Sequence, residues 1–369
     1  MFNIMATVQT LLLVCLVSFC TQAFAEADNL QVEINMHPNS KTPINQLHQQ
    51  IEQHIQHAET AQKRPFEGVI LIDRPQDFVY QLNRSQPEKS NKHQINNQYV
   101  LGSLSKTVTA ILMLQAVEHK KIALDDPANV YLETHIDNSV TIAHLLSHTS
   151  GIQPLKNNDP QLQFPAGSQF SYSNYGYHLL GKILAKINNK PYEELVSEFA
   201  QQQQLALSAN TGSTAQLAQQ GKLVQGYNEQ DRQRQLSELD IDTGMLAFGA
   251  LQADAKSINK LQHLLHSQKL FTPALYQKMT TAYGTRNHRW GPTGYGFGLQ
   301  INNQQQLTEY SHSGYIQGYI STMIYYPKQQ LSVVILENTS WELDDMSRVF
   351  GLHDEIRTRI RELIQQQAE

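Results

Sequence analysis

Cysteine is almost absent from this chain of 369 residues, and its two copies, Cys15 and Cys20, both lie near the start. We expect both to be removed with a secretory signal peptide, as argued next. A mature chain without cysteine has no disulfide bonds, no cysteine nucleophile and no cysteine-based zinc site.

The first 25 residues carry no charged side chain. Residues 11–17 form a short apolar core, and residues 23–25 read Ala-Phe-Ala, a small-x-small cleavage pattern. This predicts a signal peptide cut after Ala25 and a periplasmic or secreted protein. The apolar run is too short for a stable membrane span, and the bulky Phe19 before Cys20 disfavours a lipoprotein.

An excess of basic charge is also missing. The net charge is −5, the sequence pI is near 6.3, and no long Lys/Arg run occurs. These features argue against nucleic acid as the main partner. No Gly-x-Ser-x-Gly sequence occurs either, which sets aside an alpha/beta-hydrolase nucleophile elbow. Hydrophobic residues make up 40% of the chain, enough for a sizeable core in one large domain or two intimate ones.

The most informative stretch present is Ser103-Leu104-Ser105-Lys106, which joins an apolar strand-like piece to an apolar helix. Residues three apart share a helix face, so Ser103 and Lys106 are predicted to be neighbours. A serine hydroxyl becomes a good nucleophile when a base takes its proton, and a lysine can be that base when burial lowers its pKa. The alternative is a helix-capping serine followed by a solvated lysine.

Apolar runs indicate strands near both ends of the chain and helices between them. Runs at 68–72 and 78–82 predict one hairpin, and runs at 321–326 and 331–336 predict a second. Helical periodicity covers five further segments: 44–62, 178–187, 191–206, 254–283 and 344–367. The predicted fold class is α/β (α+β), with one antiparallel sheet built from both chain ends, flanked by helices, and a mostly helical region inserted.

The domain boundaries follow from this pattern. We predict a signal peptide at 1–25, an N-terminal extension with a polar lead-in and an amphipathic helix at 26–63, and a main domain at 64–345. Its sheet would come from about 64–102 and 290–340, and its helical region from about 103–289. A C-terminal helix at 346–369 would pack on the sheet.

Two further segments carry polar groups suited to a site. Tyr172 and Asn174 stand two apart in a predicted loop, where a tyrosine can relay protons and an asparagine can both donate and accept hydrogen bonds. His144 and His148 are four apart and could pair on a metal, but no Glu lies between them and no third ligand is evident. We therefore predict buried, hydrogen-bonded histidines that hold the loop after Gly151.

Taken in order, three motifs resemble the serine beta-lactamase-like superfamily, which includes class C beta-lactamases, low-molecular-mass penicillin-binding proteins and related esterases and amidases. Ser103-Leu104-Ser105-Lys106 matches Ser-x-x-Lys, Tyr172-Ser173-Asn174 matches Tyr-x-Asn, and His312-Ser313-Gly314 matches the third motif in its His-x-Gly form. The resemblance covers about residues 65–340.

The resemblance implies a role for each matching residue. Ser103 would be the nucleophile, with Lys106 and Tyr172 as a coupled proton-shuttling pair in which the lysine ammonium favours the tyrosine phenolate. Which of the two is the acylation base stays open. Asn174 would orient Lys106 and accept the substrate amide.

The third motif would form the substrate-binding strand. His312 would hydrogen-bond the substrate or the Tyr172 side, next to Ser313 and Gly314, and it would be mostly neutral. The backbone N–H groups of Ser103 and Tyr315 would form the oxyanion hole. No metal or organic cofactor is implied.

Lys-Thr-Gly, the usual third motif of class C beta-lactamases, occurs nowhere in the chain. The favoured prediction is therefore a D,D-peptidase, esterase or amidase-type hydrolase acting on a small-molecule or peptide substrate, namely a peptidoglycan-like peptide, an ester or a beta-lactam. A true beta-lactamase and a non-catalytic penicillin-binding or regulatory protein remain alternatives.

Overall fold

The computed structural model of this chain describes residues 30–36, 41–75, 78–85, 93–133, 135–153 and 161–366. The predicted signal peptide lies outside the described residues. Nineteen strands are assigned here: β1 (Leu30–Met36), β2 (Gly68–Arg74), β3 (Phe78–Arg84), β4 (Tyr99–Val100), β5 (Ile152–Gln153), β6 (Gln161–Leu162), β7 (Leu207–Ser208), β8 (Gly212–Ser213), β9 (Tyr227–Gln230), β10 (Gln233–Leu236), β11 (Asp240–Ile241), β12 (Gln252–Ala253), β13 (Gly284–His288), β14 (Gly291–Tyr295), β15 (Gln300–Gln304), β16 (Leu307–Ile316), β17 (Tyr319–Tyr326), β18 (Leu331–Glu337) and β19 (Thr339–Ser340).

The helices of the same ranges are α1 (Lys41–Ala61), α2 (Ser105–Glu118), α3 (Ile142–Leu146), α4 (Asn174–Asn188), α5 (Tyr192–Gln203), α6 (Thr214–Gln219), α7 (Thr243–Met245), α8 (Ala255–His266), α9 (Pro273–Met279) and α10 (Met346–Gln366). Short 3₁₀ turns occur at Gly102–Leu104 and Ala128–Tyr131, and a π turn occurs at Leu246–Ala250. No helix of the described residues is long and apolar enough to cross a membrane.

One nine-stranded sheet organises the molecule, in the order β1-β3-β2-β18-β17-β16-β15-β14-β13. Every neighbouring pair in it is antiparallel. Strand β2 from the start of the chain pairs with β18 from its end, with Val69 opposite Leu336. The predicted antiparallel sheet from both chain ends is confirmed.

Both faces of this sheet are covered, which explains why its central strands are apolar throughout. In β18, Val334 and Leu336 join the larger core with α2 and the helical region, whereas Val333 and Ile335 join a second core. That second core lies under the two terminal helices α1 and α10. A strand buried on both sides reads as a continuous hydrophobic run rather than an alternating one.

The structure differs from the sequence prediction at both edges of the sheet. Strand β1 lies where an irregular lead-in was predicted, and it pairs with β3 along its whole length. At the other edge, β13 and β14 form a hairpin, and β13 precedes the predicted start of the sheet at about residue 290. Residues 296–299 connect β14 to β15.

Buried ion pairs and hydrogen bonds attach the C-terminal helix α10 to the sheet. The Arg64 guanidinium lies 2.6 Å from the Glu337 carboxylate, and His353 of α10 lies 2.5 Å from the same carboxylate. Further along α10, Arg357 and Arg361 both contact Glu309 of β16, at 2.9 and 3.1 Å. Burial alone would raise the pKa of Glu337, but Arg64 and His353 more than offset it and hold that pKa below its usual value.

Candidate active site

The Ser103 hydroxyl group lies in the 3₁₀ turn that leads into α2, at the end of β4. Gly102 of this turn has φ +55°, and a methyl group there would lie 2.8 Å from the Tyr315 backbone nitrogen. Only glycine fits such a conformation and such a close approach without strain. The turn is held to the sheet because Ser321 Oγ donates a hydrogen bond to the Leu101 carbonyl, at 2.6 Å.

Strand β16 packs closely against the turn that carries Ser103. A methyl group at Gly314 would lie 3.1 Å from the Ser103 nitrogen. The backbone nitrogens of Ser103 and Tyr315 therefore lie on facing segments, and their role as an oxyanion hole remains a prediction. The Tyr315 side chain is directed elsewhere, with its hydroxyl donating to the Trp341 carbonyl at 2.7 Å.

Lys106 is fully buried one turn along from Ser103. Its Nζ lies 3.1 Å from Ser103 Oγ and donates a hydrogen bond to the Phe248 carbonyl at 2.7 Å. Burial lowers the pKa of Lys106 well below its usual value. A neutral amine within hydrogen-bonding distance of a serine hydroxyl can accept its proton.

The Phe248 carbonyl belongs to the π turn, a segment that the sequence did not single out. Ser105 Oγ accepts a hydrogen bond from the Leu251 nitrogen at 3.1 Å, and Thr109 Oγ1 lies 2.6 Å from the Ala247 carbonyl. Helix α2 thus holds the π turn with its own polar side chains. Motif reading missed this partner because a backbone carbonyl leaves no mark on the sequence.

Tyr172 completes the immediate surroundings of the nucleophile. Lys106 Nζ lies 4.9 Å from the centre of its ring. Burial raises the pKa of Tyr172 to about 12, although a hydrogen bond with Ser103 and the charge of Arg286 act in the opposite direction. The phenol is therefore the form at neutral pH, which differs from the phenolate expected from the sequence. The reason is that a buried Lys106 with a lowered pKa does not supply a permanent ammonium charge.

A buried histidine supports the Tyr172 ring. The His148 ring lies 4.3 Å from it, centre to centre, and the His148 Nδ1 accepts a hydrogen bond from the Ser173 nitrogen at 3.1 Å. The His148 carbonyl accepts from the Ser171 nitrogen at 2.8 Å. The prediction that these histidines hold the following loop is confirmed for His148. His144 caps α3 instead, because its Nδ1 accepts from the Thr141 nitrogen.

His312 is buried and neutral. Tyr295 donates its hydroxyl proton to His312 Nε2 at 2.9 Å, and His312 Nδ1–H donates to the Ser313 carbonyl at 2.9 Å. Burial lowers the pKa of His312 to about 3, and the charge of Arg286 acts in the same direction. Its ring lies 6.4 Å from that of Tyr172, so an uncharged side chain stands beside Tyr172 on this side.

Ser313 is tied to helix α10 through an arginine. Ser313 Oγ accepts a hydrogen bond from Arg289 at 3.0 Å, and Arg289 binds Asp354 of α10 at 2.7 Å. The Arg289 guanidinium also lies over the Phe350 ring, 4.1 Å from its centre. The C-terminal helix therefore fixes one side chain of the third motif.

Asn174 is exposed and begins α4, so it is not in a loop as predicted. Its neighbour Ser173 caps this helix by accepting a hydrogen bond from the Gly176 nitrogen at 3.1 Å. The hydrogen bonds described for Lys106 go to Ser103 and Phe248, not to Asn174. A role for Asn174 toward the substrate amide remains a prediction.

Arg286 of β13 is a site residue that the sequence did not single out. Its guanidinium carbon lies 5.4 Å from the centre of the Tyr172 ring. In β13, Gly284, Arg286 and His288 are half-buried, whereas Thr285 and Asn287 are exposed. Because all five residues are polar or glycine, this alternation in burial leaves no hydrophobic pattern in the sequence. Within the ranges given above, no group of three His, Cys, Asp or Glu side chains could hold a metal ion.

Comparison with known proteins agrees with this geometry. The sequence profile of the family described as Beta-lactamase matches residues 51–355. Penicillin-binding protein 4* of Bacillus subtilis is 24% identical over 320 residues, covering 75% of this chain and 69% of the relative.

Solved structures share the fold. A penicillin-binding protein from Bacillus halodurans superposes with a TM-score of 0.70 at 22% identity, covering 86% of this chain and 98% of the other. A D-amino acid amidase from Ochrobactrum anthropi gives a TM-score of 0.71 at 17% identity, covering 88% and 100%. With the motifs of the site in the same order, the profile match over most of the chain establishes that this protein belongs to the Beta-lactamase family, within the superfamily of beta-lactamase-like serine hydrolases.

Proposed function

We propose that this protein is an exported serine hydrolase that forms an acyl-enzyme on Ser103, with D,D-peptidase, esterase or amidase-type activity. The observation that carries the proposal is the Lys106 amine. It is fully buried, lies 3.1 Å from Ser103 Oγ, and has a pKa lowered by burial. A surface lysine beside a capping serine would have none of these properties.

The proposed reaction begins with attack of Ser103 Oγ on a substrate carbonyl carbon. The hydroxyl proton passes to Lys106 Nζ as the new C–O bond forms, and the negative charge on the carbonyl oxygen is stabilised by the N–H groups of Ser103 and Tyr315. Tyr172, a phenol at neutral pH, gives a proton to the leaving group as its bond to the carbonyl carbon breaks, and Lys106 reprotonates it. Water then releases the acyl group by the reverse proton transfers.

The neutral His312 favours this class over a true beta-lactamase, because the strand lacks the lysine of a Lys-Thr-Gly motif. The O. anthropi relative in structure is a D-amino acid amidase, which supports acyl transfer on amides. A beta-lactamase and a non-catalytic penicillin-binding protein are the competing functions. The presence of Ser103, Lys106 and Tyr172 together argues against a non-catalytic penicillin-binding protein.

The test is the intact mass of the protein after incubation with a penicillin and, separately, its turnover of a short-chain p-nitrophenyl ester, with Ser103→Ala as control. We expect ester turnover, or a lasting adduct of one penicilloyl group per chain. In Ser103→Ala the rate of ester turnover should fall at least a thousandfold, and the adduct should be lost. Fast penicillin turnover would indicate a beta-lactamase. Silence with both substrates from folded protein, or activity that survives Ser103→Ala, would refute the proposal.

A further inference from the structure

A large cleft lies between the segment that leads into β4 and the loops around β7 and α6. Its volume is about 1290 Å³, and its walls come from residues 93–98, 208–210 and 218–227, together with Asn338. The lining includes none of the residues of the candidate active site described above. Gln98 stands five residues before Ser103, so their Cα atoms are at most about 18 Å apart. The cleft is therefore separate from the nucleophile but not remote from it.

Side-chain amides dominate the lining of this cleft. Eight of its sixteen lining residues are Asn or Gln, although these two types make up less than a fifth of the chain. An amide carries no charge and both donates and accepts hydrogen bonds. Among the lining residues of the described chain, Lys222 supplies the one Lys, Arg, Asp or Glu side chain. Such a lining suits an uncharged polar ligand better than an anion or a cation.

Hydrogen bonds within the protein hold part of this wall in place. Gln98 Nε2 donates to the Ala206 carbonyl at 3.2 Å, and Gln98 Oε1 accepts from Ser208 Oγ at 2.8 Å. The buried Asn338 donates to the Gln225 carbonyl at 2.9 Å. Groups that are fixed before a ligand arrives lose little conformational entropy when it binds.

Other amides of the lining are unoccupied. Gln94, Asn96 and Gln219 are exposed, and their side-chain amides make no hydrogen bond with other residues of the described ranges. They can therefore pair with a ligand without first breaking a contact within the described protein. The cleft thus combines an ordered wall with free donors and acceptors at its rim.

We propose that this cleft binds a neutral oligosaccharide. A sugar presents closely spaced hydroxyl groups, each of which donates and accepts a hydrogen bond, as the amides do. Pockets for drug-sized ligands have volumes of roughly 300–1,000 Å³, so a cleft of about 1290 Å³ has room for an extended ligand. The competing occupant is an uncharged peptide, whose backbone amides could pair with the same side chains. The proposal does not depend on acyl transfer at Ser103.

Ligand-observed NMR titrations with cellotetraose, maltotetraose and chitotetraose test the proposal on the purified full-length protein. We expect at least one of these sugars to bind with a Kd of about 1 mM or tighter. Ala218→Trp places an indole ring in the cleft and should weaken that binding at least tenfold. The triple variant Gln94→Ala/Asn96→Ala/Gln219→Ala removes the rim amides and should do the same. Gln202→Ala removes an exposed amide of α5 outside the cleft and should leave the Kd unchanged.

Failure of all three tetrasaccharides to bind would overturn the proposal, as would sugar binding that survives in both cleft variants. If N-acetyl-tetraalanine methylamide bound in the cleft and the sugars did not, the cleft would be a peptide site instead. Where Ala218→Trp does not fold, the triple variant decides the outcome. None of these measurements depends on turnover, so a protein that binds sugar but hydrolyses no ester would refute the proposed function and retain the carbohydrate site.

Discussion

At the scale of single residues, the Lys106 amine has an unusual environment for a lysine. Its hydrogen-bond partners are one hydroxyl and one carbonyl, at 3.1 and 2.7 Å, and neither carries a negative charge. An ammonium ion in such a place loses hydration without gaining a counter-ion, so the neutral amine is favoured. Burial of a lysine normally only costs free energy. At this position it leaves the amine in the neutral form that the proposed base beside Ser103 requires.

This environment predicts the pH dependence of hydrolysis. Because the active lysine is neutral, kcat/KM should fall as pH decreases through the lowered pKa of Lys106, and the fall should lie well below pH 10. His312, with a pKa of about 3, should add no limb near neutral pH. A pH profile of ester hydrolysis from pH 5 to 10 measures this.

The control for that profile is His312→Gln. In this variant kcat/KM should fall at the same pH as in the wild type, even if the rate itself is lower, because the fall reflects protonation of Lys106. An acid limb that disappears in His312→Gln would contradict the assignment and make the histidine the titrating base.

At the scale of elements, the contact of α2 with the π turn sets the geometry of the base. Thr109 Oγ1 lies 2.6 Å from the Ala247 carbonyl and 2.6 Å from the Tyr192 hydroxyl of α5. One hydroxyl can donate once, so it donates to the carbonyl and accepts from the tyrosine. Three elements therefore share one hydrogen-bonded group next to the carbonyl that holds Lys106.

We predict that Thr109→Val lowers the free energy of unfolding by about 1–3 kcal/mol, because it leaves the buried Ala247 and Tyr192 groups unpaired. The rate of hydrolysis should also fall, since the Phe248 carbonyl loses its support. Urea unfolding and steady-state kinetics measure the two effects.

The double variant Thr109→Val/Tyr192→Phe is the matched control. It removes the unpaired tyrosine hydroxyl and should recover part of the lost stability, because replacing both partners costs less than replacing one. A Thr109→Val protein as stable as the wild type would show that the hydroxyl is not needed to hold the π turn.

The sequence predicted those elements whose pattern is set by burial. The apolar runs of β2, β17 and β18 identified the sheet, and the Ser-x-x-Lys spacing placed Ser103 beside Lys106. Strand β1 was missed although Leu30, Val32, Ile34 and Met36 alternate with polar residues in it, a pattern typical of a half-buried strand. In β13 the half-buried positions are themselves polar or glycine, so no hydrophobic period was visible.

The third motif and the carbonyl of Phe248 illustrate the same limit within the site. Side-chain types can be read from a motif, but the partners of those side chains depend on segments far away in sequence. Lys106 and Phe248 are 142 residues apart. Arg286 reaches Tyr172 only because the edge of the sheet faces the helical region.

At the scale of the whole molecule, the folded state keeps many histidines neutral. Burial is the largest cause that lowers the pKa in each of these: His148, His266, His288, His312 and His353. In His353, the contact with Glu337 opposes this effect without reversing it. The unfolded chain binds protons at these positions near pH 6.5, whereas the folded chain does not.

The sign of the effect follows. A base whose pKa is lowered in the fold contributes stability above its unfolded pKa and loses it as the pH falls. We therefore predict that the free energy of unfolding drops by at least about 3 kcal/mol between pH 6.5 and 5.5, as these histidines together take up protons on unfolding. Urea unfolding at both pH values measures the change.

His353→Gln serves as the control for that measurement. It should reduce the pH-dependent drop, whatever it does to stability at pH 7, because this position then takes up no proton on unfolding. A free energy of unfolding that is the same at pH 6.5 and 5.5 would contradict the neutral assignment of the buried histidines.

The hydrogen bond from Ser321 to Leu101 joins residues 220 positions apart. At a translation rate of 5–20 residues per second, roughly 10–40 seconds separate the synthesis of the nucleophile turn from that of the strand that holds it. Tyr315 is synthesised almost as late, and β18, which pairs with β2, follows later still. A nascent chain therefore carries Ser103 and Lys106 long before the strands that pack against them exist, and the proposed site is complete only when the last strands of the sheet have left the ribosome.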